Sequence, residues 1–203
     1  LVEILASAIG SLTNPPKLAN TFKSSQINTT DVTVSNYINY LTNAFMINRA
    51  ERYDVKGRKY IDSPFKYYFT DIGLRNAALN FRQQERTHIM ENIIYNELLI
   101  RGYNVDVGIV SYSGKTADGK RTTIHSEVDF VCNLGSKRYY IQSAFAIPDK
   151  EKMDQETASL DHINDSFKKI IIVGDIIKPW INEKGYLIMS IYDFLLKLDS
   201  LEM

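Results

Sequence analysis

The acidic residues with the most chemical potential lie in two stretches. Glu127-Val128-Asp129-Phe130 reads as strand, and the two-residue period of a strand sends both carboxylates to one face. Two carboxylates on one face repel unless a cation or hydrogen-bond donors balance them, so the pair suits a divalent-metal site. A polar strand face that meets solvent, lysine or arginine is the plainer reading. On 86–101 a helical wheel gathers Ile89, Met90, Ile93, Ile94, Leu98 and Ile100, with Glu97 amid that stripe and Glu91 at its edge beside Leu98. A carboxylate bordering a core face is costly unless something pairs with it. A second kind of chemistry surrounds the turn-rich residues 54–59. There Arg49, Arg52, Lys56, Arg58, Lys59 and Lys66 stand against Glu51, Asp54 and Asp62, a pattern suited to contacts with a phosphate backbone.

Other candidates are weaker. Gly114-Lys115-Thr116 ends as a phosphate loop ends, but Gly108 lies one residue too far upstream and the sequence after it continues as turn and strand, not as the helix a phosphate requires. His88, His125 and His162 are too scattered to argue for a metal. Cys132 is the one cysteine, which excludes an intrachain disulfide framework and a cysteine zinc cluster and fits a reducing compartment.

The elements that must position these groups fall in two halves. Helices are expected over about 1–13, about 16–25 behind Pro15-Pro16, and from a cap at Asp31 through Val34, Tyr37, Ile38, Leu41, Ala44 and Phe45, followed by strands at about 46–53 and 59–69. Three helices and a hairpin give the order of a winged helix. A helix at about 86–101 closes at Gly102. Strands then follow at 103–112, 123–133 and 137–147, a helix at about 149–166, strands at 169–175 and 185–190, and a last helix at about 191–199. The fold class is therefore α/β, α+β overall: a winged helix over 1–83, then an α/β sandwich with a mixed sheet over 84–203.

Composition bounds what these parts can do. Twenty-four Lys and Arg balance 24 Asp and Glu, which excludes binding of nucleic acid by bulk charge alone. The balance conceals an asymmetry, since residues 1–86 hold 11 basic and 7 acidic residues and residues 87–203 hold 13 and 17. No apolar run approaches the roughly 20 residues of a membrane helix, and the opening LVEILASAIG lacks the basic start of a signal peptide, so a cytoplasmic protein without membrane partners is expected. A start at Leu1 within a helical pattern reads as a piece of a longer chain.

Four ordered runs, residues 35–60, 66–79, 90–105 and 127–145, closely resemble the C-terminal region of a large family of bacterial and archaeal AAA-type ATPases, a region known as domain of unknown function 4143. The resemblance extends from about residue 5 to about residue 195. It implies an upstream ATPase module that carries ATP and its phosphate loop, a winged helix, and a domain like the PD-(D/E)XK nucleases. On that pattern Glu91, eleven residues before Gly102, and Asp129 would hold Mg²⁺, with Gln142 offering a neutral oxygen. The lysine of the pattern falls on Ala144, which removes the charge that phosphodiester cleavage most needs; Lys115, Lys120 and Arg138 are candidates for a displaced lysine. The resemblance thus implies a degenerate nuclease-like module that binds DNA or a partner macromolecule, including its own ATPase module. A Mg²⁺-dependent nuclease using Glu91, Asp129 and Gln142, and a purely protein-interacting module, are the alternatives. From Val32 to Asn48 the third helix has no charge, and only Ser35, Asn36, Asn39 and Tyr40 offer hydrogen bonds, so DNA contact is expected at Arg49, Arg52, Lys56, Arg58 and Lys59 of the wing.

Overall fold

A computed structural model describes residues 1–115 and 118–203. The fold is α+β, with seven α-helices and an eight-stranded mixed sheet among the described residues. The chain divides into two compact units, residues 1–51 with 62–96 and residues 52–61 with 97–203.

The first unit holds α1 (Val2–Ser7), α2 (Pro15–Ser24), α3 (Asp31–Asn43), most of β1 (Ile47–Asp54) and β2 (Lys59–Phe69), α4 (Ile72–Ala78) and the start of α5 (Arg86–Ile100). Asn14 starts α2 by accepting the Lys17 N–H at 2.8 Å, with Pro15 and Pro16 in the first turn, where no amide donor is required. The cap of α3 is Thr30, which accepts from the Thr33 N–H; Asp31 is the first helical residue. Val34 and Ile38 bury with Leu5, Ile9, Leu18, Ile47, Tyr67 and Phe69. Phe45, expected on that face, is instead 79% exposed, because the chain turns there with φ +55°. The first helix also stops at Ser7, well short of 13: Gly10 adopts φ +69°, and Thr13 instead exchanges backbone hydrogen bonds with Phe65.

Two buried polar side chains serve this unit as internal backbone partners. Asn92 accepts the Phe69 N–H at 2.9 Å and donates to the Phe69 carbonyl at 2.8 Å, as a neighbouring strand would. Arg75, on the unexpected helix α4 that Asp71 caps, donates Nε–H to the Ala6 carbonyl at 2.9 Å. Buried backbone groups left without such partners would each cost of the order of 1–3 kcal/mol.

In the second unit the hairpin tip of β1 and β2 joins β3 (Asn104–Lys115), β4 (Arg121–Leu134), β5 (Lys137–Ala144), β6 (Lys168–Val173), β7 (Trp180–Ile181) and β8 (Leu187–Ser190). The sheet order is β2-β1-β3-β4-β5-β6-β8-β7. Strands β3, β4 and β5 form an antiparallel meander, while β6 and β8 continue it in parallel, with α6 (Lys150–Asp161) crossing between β5 and β6. The Arg52–Asp54 segment pairs parallel with Val107–Ile109. Val110, Val128, Val131, Tyr140, Ile171 and Ile188 form one buried face with Leu160 and Ile163. Helix α5 ends as expected: Gly102 takes φ +85° and the Tyr103 N–H returns to the Leu98 carbonyl. Ile100, placed on the buried stripe by the wheel, is 79% exposed. The final helix, α7 (Ile191–Leu196), is capped by Ser190. No described helix is long and apolar enough to cross a membrane.

Candidate nucleic-acid and nuclease-like sites

The hairpin tip is positive because Lys56, Arg58 and Lys59 outnumber its one carboxylate, Asp54, which is committed to the turn. Asp54 Oδ1 accepts the backbone N–H groups of Lys56 at 3.1 Å and Gly57 at 2.9 Å, an Asx turn that closes on the Arg58 N–H to the Asp54 carbonyl. Gly57 is required by this approach, since a Cβ there would lie 2.4 Å from Asp54 Oδ2. Lys56, Arg58 and Lys59 are exposed, and their side chains make no ion pair or hydrogen bond among the described residues.

The other wing cations differ. Arg49 pairs with Glu51 at 2.7 Å and lies over the Phe65 ring. Arg52 is half-buried and engaged within the fold. Lys66 does not belong to a basic surface at all: it is 3% exposed, with its ammonium 2.9 Å from Glu91. Its position on the strand could not announce this, because its partner is 25 residues away.

Glu91 therefore has the pairing that its place at a core edge demanded. Within the first unit its Oε1 accepts from Lys66 at 2.9 Å and from the Tyr68 hydroxyl at 2.6 Å. Burial alone would push this carboxyl up; the His88 contact, the Lys66 charge and the Tyr68 hydroxyl outweigh burial and hold it below its ordinary value. His88 Nδ1 stands 3.9 Å from Glu91 Oε2, too far for a hydrogen bond, and the attraction of that carboxylate raises the imidazole pKa. Gly10 packs against the same carboxylate, so Gly10→Ala would place a Cβ 2.9 Å from Glu91 Oε2 at φ +69°. The expected cost is about 2 kcal/mol, read as a fall of roughly 4–8 °C in melting temperature. An unchanged melting temperature would contradict this packing.

Asp129 and Gln142 lie in the second unit. Asp106 pairs with Val131 but Gly108 pairs with Val128, so Asp129 and Phe130 together oppose Val107 in a β-bulge. Val128 and Val131, three residues apart, consequently share one buried face, which a regular strand would forbid. Gly108 is needed there, because a Cβ would meet Val131 at 2.7 Å and Val128 at 3.0 Å. Asp129 is 8% exposed, and its Oδ2 accepts the Ser143 N–H at 2.8 Å. The Asp129 N–H faces Gln142 Oε1 at 3.5 Å, and the buried Ser143 hydroxyl has no hydrogen-bond partner among the described residues. Ala144 is buried in the Val128–Val131 cluster.

Of the candidates for a displaced lysine, Arg138 donates its Nε–H to Asn133 and lies over the Tyr53 and Phe167 rings, four residues before Gln142 on β5. Lys115 ends β3 seven residues beyond Gly108, and Lys120 precedes β4 nine residues before Asp129. Gly114 and Lys115 pair with Thr122 and Arg121 in the β3–β4 ladder, as a strand and not a phosphate loop; Thr116 lies outside the described residues.

A Mg²⁺ ion requires several oxygens in octahedral order. Glu91 already balances a lysine, one Asp129 oxygen is taken by an amide, and no group of three or more His, Cys, Asp or Glu among the described residues could hold a metal.

Residues 1–85 match the model of a domain of unknown function, DUF8612. Over 174 residues the chain is 37% identical to an uncharacterized protein of Haemophilus influenzae; the match covers 86% of this chain and 40% of that protein. The chain thus spans less than half the length of that relative. No solved structure matches this chain.

Proposed function

We propose that this chain is the non-ATPase C-terminal region of a AAA-type ATP-binding protein and acts there as a DNA-binding module, in which a nuclease-like domain binds without cutting. The observation that carries the reading is the hairpin tip: three exposed cations, Lys56, Arg58 and Lys59, unpaired among the described residues, beside an acid committed to its own turn. Phosphate contacts dominate affinity for DNA, and exposed lysines and arginines make them at little desolvation cost. Beyond Asp31 in its first turn, the exposed part of α3, with Asn36, Tyr37, Asn39 and Tyr40, carries no charge and adds hydrogen bonding alone. ATP belongs to the upstream module that the ordered motifs imply, and a cytoplasmic setting suits the buried, unpaired Cys132.

A gel shift of labelled duplex DNA at low salt tests the binding; no shift would favour a protein partner in its place. For the chemistry, supercoiled plasmid incubated with the chain and Mg²⁺ or Mn²⁺ is expected to stay intact. Ala144 supplies no charge to the phosphate, and Glu91 is already balanced by Lys66. Nicking that disappears in Asp129→Ala would establish the nuclease instead.

A further inference from the structure

Within the second unit, the hairpin tip, the β4–β5 turn and the α6–β6 connection enclose a pocket of about 670 Å³. That volume falls in the range of sites for small organic ligands, roughly 300–1,000 Å³. Lys56, Arg58, Lys137 and Arg138 line it against a single carboxylate, Asp165. Asp165 is consumed by the fold, because Oδ2 accepts the Tyr140 hydroxyl at 2.6 Å and Oδ1 accepts the Phe167 N–H at 3.2 Å. Lys137 shares its charge with Glu202 at 2.5 Å, in an exposed pair that a stronger anion can displace. The pocket is thus built for negative charge.

Its other ingredient is aromatic. The Arg138 guanidinium lies 5.4 Å from the Tyr53 ring centre and 5.5 Å from that of Phe167. Its Nε–H is fixed by Asn133 Oδ1 at 2.7 Å. Phe167 remains 40% exposed, leaving ring surface available, and Tyr60 packs edge-on against Tyr53 at 5.5 Å. Cations interleaved with exposed rings bind unpaired bases and their phosphates together, since every base has a face to stack and a duplex hides it.

We propose that this pocket seats one nucleotide of a single-stranded nucleic acid, its phosphate at Lys56 and Arg58 and its base on Phe167 beside Arg138. The inference rests on the DNA-binding reading above and sharpens it, from duplex backbone contact to a strand with an exposed base.

Fluorescence anisotropy of the full chain at 50 mM NaCl, with a labelled fifteen-residue oligothymidylate and with a blunt duplex of equal length, tests it. Phe167→Ala is expected to weaken the oligothymidylate about tenfold or more, the scale of one lost stacked base, while the duplex changes by less than about threefold. Arg138→Gln should act in the same sense, and Arg58→Ser should weaken both ligands. Circular dichroism of Phe167→Ala and Arg58→Ser, both at exposed positions, guards against misfolding. If both ligands bind wild type and Phe167→Ala leaves both unchanged, the pocket assignment falls and duplex binding at the wing stands. If thymidine monophosphate binds but the oligothymidylate does not, the strand assignment falls. If neither nucleic acid binds, the inference and the reading beneath it fall together.

Discussion

Replacing Lys56, Arg58 and Lys59 together with serine is expected to lower the affinity of this chain for duplex DNA by about a hundredfold or more at 50 mM NaCl, with little change in fold. Each cation that neutralises a phosphate releases a condensed counterion, so the slope of log K against log salt should become shallower by about 2.7 for three lost contacts. The stability effect should be small, because the three side chains are exposed and pair with nothing among the described residues. The Asx turn beneath them uses backbone amides and Asp54, all of which remain. The slope is the telling quantity. A variant that weakened binding through altered shape would lose affinity without losing salt dependence.

Glu91→Gln carries the second large expectation, on stability. It removes the carboxylate charge that the Lys66 ammonium, 3% exposed, meets at 2.9 Å, while keeping an acceptor for the Tyr68 hydroxyl. Breaking one side of a buried pair costs about 3–5 kcal/mol, or roughly 6–20 °C in melting temperature for a chain of this size. Removing both charges, with Lys66→Met beside Glu91→Gln, should recover most of the loss, because neither ion then needs desolvation. The result separates two roles for one residue. A carboxylate held ready for a metal is relieved by neutralisation when no metal is bound, whereas a counter-ion is missed. A melting temperature that rises in Glu91→Gln would return Glu91 to the nuclease-like site.

The elements that could be read from the sequence are those whose signals are local. Helix α5 and its Gly102 stop, the three strands that follow it and the apolar run of β6 all lie close to where their periodicity places them. Helix α4 is not legible although Asp71 caps it, because seven residues with Gly73 near the start give too little pattern to weigh against the strand before them. The two residues of β7 exist only through β8, which no local signal foretells. At the candidate sites the same division holds. The exposed cations of the turn were visible as a charge cluster beside Gly57. Lys66 stood in that cluster by sequence and leaves it in space, because only the packing of β2 against α5 brings it to Glu91. Asp129 was visible in EVDF, but the bulge that sets its surroundings depends on Gly108, about twenty residues away on another strand. The basic pocket forms where three separate connections meet, and of its lining the charge cluster in the sequence marks only the hairpin residues.

The proposed grip on DNA rests on Lys56, Arg58 and Lys59 at the hairpin tip, unpaired among the described residues. Its most direct test is the equilibrium binding of the 203-residue chain to labelled duplex DNA, measured between 50 and 200 mM NaCl. Binding is expected at the lower salt and should weaken by about 40-fold or more at the higher, the loss for at least three phosphate contacts. Absence of binding at 50 mM NaCl, or binding indifferent to salt, would contradict it.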